Sequence, residues 1–180
     1  MRSIIIRNWK IDDLPVYRGW LEPYHEWHRF DAPYLLSNTP EEIDAEVERC
    51  RSWTEEPPTP LVPRMVVSPP DGPLIGTVNR YGREHQPESI SIGIGIYDPS
   101  QWNNGLGTAA LSLWIEMIHL SYPEIDVVKL ATWSGNVGMC RVASKLGFTE
   151  VHREVGAYTN EGFAYDRIQF QLILGSQNTL

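Results

Sequence analysis

The sequence predicts one domain built on a mixed β-sheet with helices layered against it, an α/β or α+β arrangement. Three observations carry this. Apolar segments pair as hairpins in the first half, and strands alternate with helices in the second. The chain of 180 residues, 42% hydrophobic and 21% charged, suits one core that hides about 70% of its unfolded surface. Prolines bunch between Pro57 and Pro73, where they read as connection around a short strand, because about 60 residues before them are few for a second core.

Taken in order, the first ten residues read as a strand, and Asp12-Asp13-Leu14-Pro15 as a helix start with proline tolerated in the first turn. Thr39-Pro40-Glu41-Glu42 is a capping box, and Ile43, Val47 and Cys50 follow at helical spacing. Residues 64–68 and 74–80 read as paired strands around the turn Pro70-Asp71-Gly72. Residues 89–97 alternate as a strand that Asp98-Pro99 ends. From Gly107 the period becomes helical, with Ala110, Leu113, Trp114, Met117 and Ile118 on one face. Residues 126–132 form a buried-type strand. Residues 136–146 form a helix with Met139, Val142, Ala143 and Leu146 on its inner face, stopped by Gly147. Residues 149–155 and 164–174 close the chain as two strands around Thr159-Asn160-Glu161-Gly162.

Fifteen Lys and Arg against 23 Asp and Glu give a net charge of −8, which argues against a nucleic-acid partner and leans slightly toward a cationic substrate. The aliphatic run Ile4-Ile5-Ile6 is shorter than the about 7–15 residues of a secretory signal or the ~20 of a membrane span, so no membrane partner and a cytoplasmic location are expected. Two cysteines, Cys50 and Cys140, make neither a disulfide framework nor a zinc cage.

The segment that carries chemistry is Trp102-Asn103-Asn104-Gly105-Leu106-Gly107-Thr108, between a strand and an amphipathic helix. Two glycines let the backbone curl so that several N–H groups point outward at the positive end of the helix, a receptor for a phosphate or pyrophosphate. Three rival readings compete. Asn104-Gly105 is also a hairpin dipeptide, but a helix follows it. Gly105-Leu106-Gly107-Thr108-Ala109-Ala110 satisfies a loose dinucleotide fingerprint, but the preceding 90 or so residues lack the βαβ pattern. The third is a plain helix start.

Gly93-Ile94-Gly95-Ile96-Tyr97-Asp98-Pro99, followed by residues 102–111, resembles the acetyl-CoA-binding motif of the GNAT superfamily of N-acetyltransferases, Gln/Arg-x-x-Gly-x-Gly/Ala after a central strand. Trp102 holds the Gln/Arg position, a replacement typical of the branch that resembles ribosomal-protein N-terminal and spermidine acetyltransferases. Asn136 with Arg141-Val142-Ala143-Ser144-Lys145-Leu146-Gly147-Phe148, and the segment 160–167, are similar to later blocks of the family in order and spacing. The likeness runs over residues 3–174, although the first 90 match only in outline.

The resemblance implies a mostly antiparallel seven-stranded sheet with about four helices and splayed central strands, and acetyl-CoA (CoA) as cofactor in the gap. Carried over, Gly95, Ile96 and Tyr97 would pair with the pantetheine arm, one N–H polarising the thioester carbonyl. Residues 104–108 would hold the pyrophosphate, with Trp102 and Asn103 leading into that loop. Asn136 would bond the pantetheine end, although Asn is equally a good helix cap. Met139 stands where this branch often has Ser, to tighten the groove or simply to pack. The leaving thiolate is often protonated by a Tyr or Ser seven residues after the Asn; here that position is Ala143, which leaves water to supply the proton. Cys140, one turn after Asn136, would lie near the sulfur or fill the core.

The amine side would be built by the first helices and the final hairpin. The dense stretch His25-Glu26-Trp27-His28-Arg29-Phe30-Asp31-Ala32-Pro33-Tyr34 offers His28 or Asp31 as base or amine anchor, against a plain reading in which Asp31 caps a loop and Trp27 and Phe30 are core. His25, His28 and Asp31 do not have the zincin spacing, and no metal is expected. The expected activity is direct attack of a primary amine, a protein N-terminus or a polyamine-like small molecule, on the acetyl thioester. A catalytically silent acyl-CoA-binding module of the same fold is the alternative, and a nicotinamide-binding protein a third. Members of this branch are often dimers, so a homodimer stands beside a monomer.

Overall fold

In the computed structural model, residues 3–31, 39–82 and 88–174 are described. Of the dense stretch at 25–34, Ala32, Pro33 and Tyr34 fall outside them. The elements run β1 (Ile5–Arg7), α1 (Asp13–Leu21), α2 (Pro40–Glu55), β2 (Arg64–Ser68), β3 (Gly76–Tyr81), β4 (Ser89–Ile96), α3 (Leu106–Ser121), β5 (Val127–Trp133), α4 (Val137–Lys145), β6 (Thr149–Asn160) and β7 (Phe163–Ile173). The sheet order is β1-β2-β3-β4-β5-β7-β6, and every neighbouring pair is antiparallel except β4 and β5. This is the mixed, mostly antiparallel seven-stranded sheet with four helices that the sequence implied.

Cross-strand register assigns the faces. Arg7, Val66, Thr77 and Gly95 stand opposite one another on one face, joined by Arg64, Asn79 and Gly93. Helices α1 and α2 cover that face, where Tyr17 of α1 and Glu46 of α2 both reach Arg64. Met65, Val78 and Ile94 occupy the other face. Helix α3 covers it: Arg80, which shares that face, lies over the ring of Tyr122 at the end of α3, 5.2 Å from guanidinium carbon to centroid.

Local chemistry explains most elements. The capping box of α2 is complete: Glu42 N–H donates to Thr39 Oγ1 at 3.3 Å and Thr39 N–H donates to Glu42 Oε2 at 2.8 Å. Ile43, Val47 and Cys50 are buried beneath it. The final hairpin turns on Glu161 and Gly162, both at positive φ, a two-residue connection matched to the strand twist.

Several expectations need correction. The first strand is three residues long, because the chain leaves the sheet after Arg7 to bury Trp9, whose Nε1 donates to the Arg64 carbonyl at 2.8 Å. Helix α1 does start at Asp12-Asp13 as read, but without a side-chain cap from Asp12: Asp13 turns inward, accepting from Lys10 N–H at 2.8 Å and from both Arg7 Nη atoms at 2.6 and 2.8 Å. On α3, Leu113 is exposed and Leu111 is fully buried in its place. Strand β3 starts at Gly76, two residues later than expected. The last hairpin is longer, since β6 continues to Asn160 through two register shifts.

Candidate active site

Strands β4 and β5 pair only at Ser89–Val127, Ile90–Val128 and Ser91–Lys129, and then separate. Which backbone groups face the resulting gap follows from strand alternation. Tyr97 N–H donates to the Ile75 carbonyl at 3.0 Å, so the odd-numbered residues of this strand direct their backbone groups toward β3. Ile92, Ile94 and Ile96 direct theirs into the gap. Of the three residues expected to pair with a pantetheine arm, Ile96 alone has its N–H on that side. Gly95 and Tyr97 line the cleft in other ways: a Cβ on Gly95 would stand 3.0 Å from the Tyr97 ring, so the glycine leaves the trough above that phenol open.

The gap opens into a cleft of about 760 Å³. At one end lies the loop before α3. The Asp98 carboxylate accepts from Ser100 N–H and Oγ, which hold it below the usual carboxylate range and fix the turn at Pro99. Trp102 Nε1 donates to the Ile96 carbonyl at 2.8 Å, tying this loop to the end of β4. Asn103 and Gly105 take positive φ, 60° and 79°. Gly105 is the residue before α3 and has no side chain to cap it, so the N–H groups of Leu106, Gly107 and Thr108 have no intrahelical partner. Asn104 is exposed and bonds the Ser100 carbonyl; it does not line the cleft, whereas Asn103, Gly105, Leu106, Gly107 and Thr108 do. Opposite them, Arg141 and Lys145 of α4 also line the cleft. Two cations and a run of outward N–H groups are what a diphosphate requires, and space is available, because nothing lies within 4 Å of a Cβ built on Gly105.

Asn136 has two structural jobs. Its Oδ1 accepts from Met139 N–H at 2.9 Å, capping α4, and its Nδ2 donates to the Phe30 carbonyl at 2.6 Å. Trp133 Nε1 donates to the carbonyls of Phe30 and Asp31 at 3.2 and 3.0 Å. These bonds pin the 30–31 segment across the mouth of the gap. Phe30 stands edge-on to Trp102, 5.3 Å between centroids. Met139 lines the cleft beside Asn136.

At the other end the wall is formed by Trp27, Asp31, Arg64, Thr77, Asn79 and Tyr81. Asp31 is exposed at the lip, yet enough protein surrounds its carboxyl to push it up from the ordinary aspartate value by desolvation, with His28 and Arg64 pulling the other way. The Tyr97 hydroxyl is buried, bonds Thr77 Oγ1 at 2.6 Å, and is kept protonated by burial. His28 does not line the cleft; its Nε2 bonds the Glu22 carbonyl at 3.0 Å and its ring packs on Trp27. Cys140 is half-buried, also outside the cleft lining, and burial raises its thiol pKa. Ala143 is fully buried under α4. The structure therefore brings Asp31 together with the gap, and His28 and Cys140 away from it.

Sequence reasoning missed Arg64, Asn79, Tyr81, Arg141 and Lys145. Arg141 and Lys145 were legible in principle as an i, i+4 basic pair on the helix after Asn136. Arg64, Asn79 and Tyr81 gave no signal, since only the β2–β3 register brings them to one wall.

Comparison with known proteins agrees with this geometry. Residues 3–149 match the acetyltransferase (GNAT) domain family. No curated protein matches the chain by sequence. Among solved structures, spermidine N-acetyltransferase from Vibrio cholerae in complex with CoA and spermine superposes with a TM-score of 0.73 at 14% identity, over 94% of this chain and 95% of that one. The yncA structure from Salmonella typhimurium, holding its cofactor acetyl-CoA, gives 0.67 at 16% identity over 98% and 97%. An acetyltransferase of the GNAT family from Bacillus anthracis gives 0.71 at 13% identity over 94% of each chain. At such identities the likeness speaks to the fold, and the family match covers most of the chain. A β4–β5 gap, a glycine loop at its end and a matched family over residues 3–149 make this chain a member of the GNAT acetyltransferase family.

Proposed function

We propose that the protein is an N-acetyltransferase that moves an acetyl group from acetyl-CoA to a primary amine. The observation that carries this reading is the stretch of β4, residues 92–96, that stays paired with β3 but has no β5 partner, ending beside the uncapped N-terminus of α3. When bound, acetyl-CoA supplies an activated acetyl thioester, whose carbonyl carbon bonds the amine nitrogen as its C–S bond breaks. Leu106, Gly107 and Thr108 N–H groups, with Arg141 and Lys145, would hold the diphosphate; Ile94 and Ile96 would pair with the amide-bearing arm. The Ile96 N–H faces the gap, where it would polarise a carbonyl oxygen. Its orientation is fixed from the carbonyl side by Trp102.

An alkylamine with a pKa near 10 is mostly protonated at neutral pH, so a base must take a proton before the nitrogen can attack. Asp31 is the carboxylate on the cleft wall among the described residues, and its raised pKa makes it a better base than an ordinary aspartate. The buried Ala143 offers no hydroxyl to the sulfur, so water would protonate it. That same feature favours the second reading, a silent acyl-CoA-binding module.

The test is thermal stability with acetyl-CoA, CoA and NAD in parallel, followed by thiol release with a panel of amines. A ligand at ~100 times its dissociation constant should stabilise by about 2.7 kcal/mol. Stabilisation by both CoA forms with amine-dependent thiol release is expected. Stabilisation without release by any amine would select the silent module, and stabilisation by NAD alone would overturn both.

A further inference from the structure

We propose that the acceptor is a primary amine that also carries a carboxylate, and that Arg64 reads this carboxylate in a second cavity at the acceptor end of the cleft. The inference rests on the acetyl-transfer reading and narrows its substrate class.

The second cavity, of about 370 Å³, shares Arg64, Asn79 and Tyr81 with the cleft and is completed on the α2 side by Glu46, Arg49 and Trp53. Among the described residues its charges do not balance. Glu46 uses one oxygen for each of two arginines, Oε1 to Arg64 Nη1 at 3.0 Å and Oε2 to Arg49 Nη1 at 2.9 Å. One carboxylate between two guanidiniums leaves one positive charge in excess, in a chain whose net charge is −8. Arg80 also borders the cavity, but its Nη2 donates to the Leu61 carbonyl and its guanidinium lies over Tyr122.

Among the described residues, the Arg64 side chain makes its bonds through Nη1 alone, to Glu46 and to the Tyr17 hydroxyl. The Nε and Nη2 donors are uncommitted, and a planar guanidinium with two such donors matches a carboxylate in two parallel hydrogen bonds. In the shared wall, Asn79 Oδ1 is buried with no partner among the described residues. It lies across β4 because residue 93 is glycine; a Cβ there would stand 2.4 Å from it. The under-used guanidinium beside it suits a ligand that brings carboxylate oxygens.

The same inventory argues against a polyamine. Several ammonium groups call for several carboxylates, and among the described residues lining the cleft Asp31 is the only one, facing Arg64 at the acceptor end. A molecule with its amine toward Asp31 and its carboxylate toward Arg64 meets both charges with one of each.

The wild-type protein with acetyl-CoA tests this directly. Phenylalanine, leucine and lysine are each compared with the amine that lacks only the carboxylate (phenethylamine, isopentylamine and cadaverine), and with spermidine. At least one amino acid should exceed its decarboxylated partner in kcat/KM by about tenfold or more, the size of a charge-assisted hydrogen bond. Calorimetry in the presence of CoA should show the same preference in Kd. Arg64→Met should abolish the preference and leave the Kd of CoA unchanged. Arg64 is also part of a buried network, so Arg49→Gln is the second variant: it leaves one arginine facing Glu46, and the preference should fall severalfold in a protein that still folds. Equal or better use of the decarboxylated amines or of spermidine by the wild type would overturn the inference while acetyl transfer stands. CoA binding with no amino-acid binding in calorimetry would also overturn it. Absence of any CoA-induced stabilisation would instead remove the acetyl-transfer reading, and this inference with it.

Discussion

Asp31 combines two effects of one environment. Protein crowding around its carboxyl disfavours the charged form, so its pKa lies above the ordinary aspartate value. Between the unfolded and the folded value, the folded chain holds more of the proton, and stability therefore falls as pH rises through that window. At neutral pH the ionised Asp31 is a cost to folding and a benefit to proton removal. Asp31→Asn is expected to raise the melting temperature at pH 7 and to lower kcat/KM with the best amine by about 10²–10⁴, the usual weight of a general base. The acid limb of the wild-type rate profile should lie above the range of an ordinary aspartate and be absent from the variant's residual activity. A rate unchanged by the substitution would assign proton removal to water. The residue was legible in the sequence as one of two candidates, His28 or Asp31. What the sequence could not show is that Trp133, a hundred residues away, holds the Asp31 carbonyl at 3.0 Å, while His28 turns to the Glu22 carbonyl.

At the scale of elements, the start of α3 depends on one glycine. Gly105 sits at φ 79° with open space around it, so a methyl group there meets no atoms but forces a left-handed conformation on an L-residue. Gly105→Ala should destabilise by about 1–2 kcal/mol in denaturant titration and weaken CoA, because the N–H groups of the first turn shift together. Gly105→Asn, a residue that tolerates this conformation, should recover most of the loss. A different device holds the β1–α1 corner. Asp13 and Arg7 are paired through two hydrogen bonds with side chains only 6% and 13% exposed, so Asp13→Ala, which strands the guanidinium, should cost about 3–5 kcal/mol. These elements show how far the sequence carried. The capping box of α2 and the place of the turn between β6 and β7, read as residues 159–162, were legible, because their signals are local; that the strands continue to a two-residue turn at Glu161 and Gly162 was not. The choice of Asp13 over Asp12 was not, since it depends on where Arg7 stands in the sheet. Leu111 displaced Leu113 from the α3 interface for a similar reason: spacing gives a helix its stripe, but the sheet beneath decides how the helix is rotated.

At the scale of the molecule, the sheet is two antiparallel blocks, β1 to β4 and β5 with β7 and β6, joined through three parallel residue pairs at one end of the gap. The sequence suggested such a mixed sheet, yet the place where pairing stops is set by how far the blocks diverge, which no local motif encodes. This geometry makes the gap a site where bound ligand would complete the sheet. The even-numbered backbone groups of β4 are bonded to β5 near Ile90 and directed into the gap at Ile92, Ile94 and Ile96, whereas the odd-numbered ones are held by β3 throughout. Hydrogen exchange should therefore respond to acetyl-CoA by position. The amides of Ile94 and Ile96 should slow by about fivefold or more on binding, as each gains a partner worth about 1 kcal/mol or more. The amides of Gly93 and Gly95, already bonded across to β3, should change only as much as the whole molecule is stabilised. Uniform slowing along β4 would mean that the ligand stabilises the fold without pairing with the strand, and protection confined to 105–108 would limit binding to the diphosphate loop. Alternation between neighbouring residues is a signature that global stabilisation cannot produce, so it ties the bound arm to this strand edge independently of turnover.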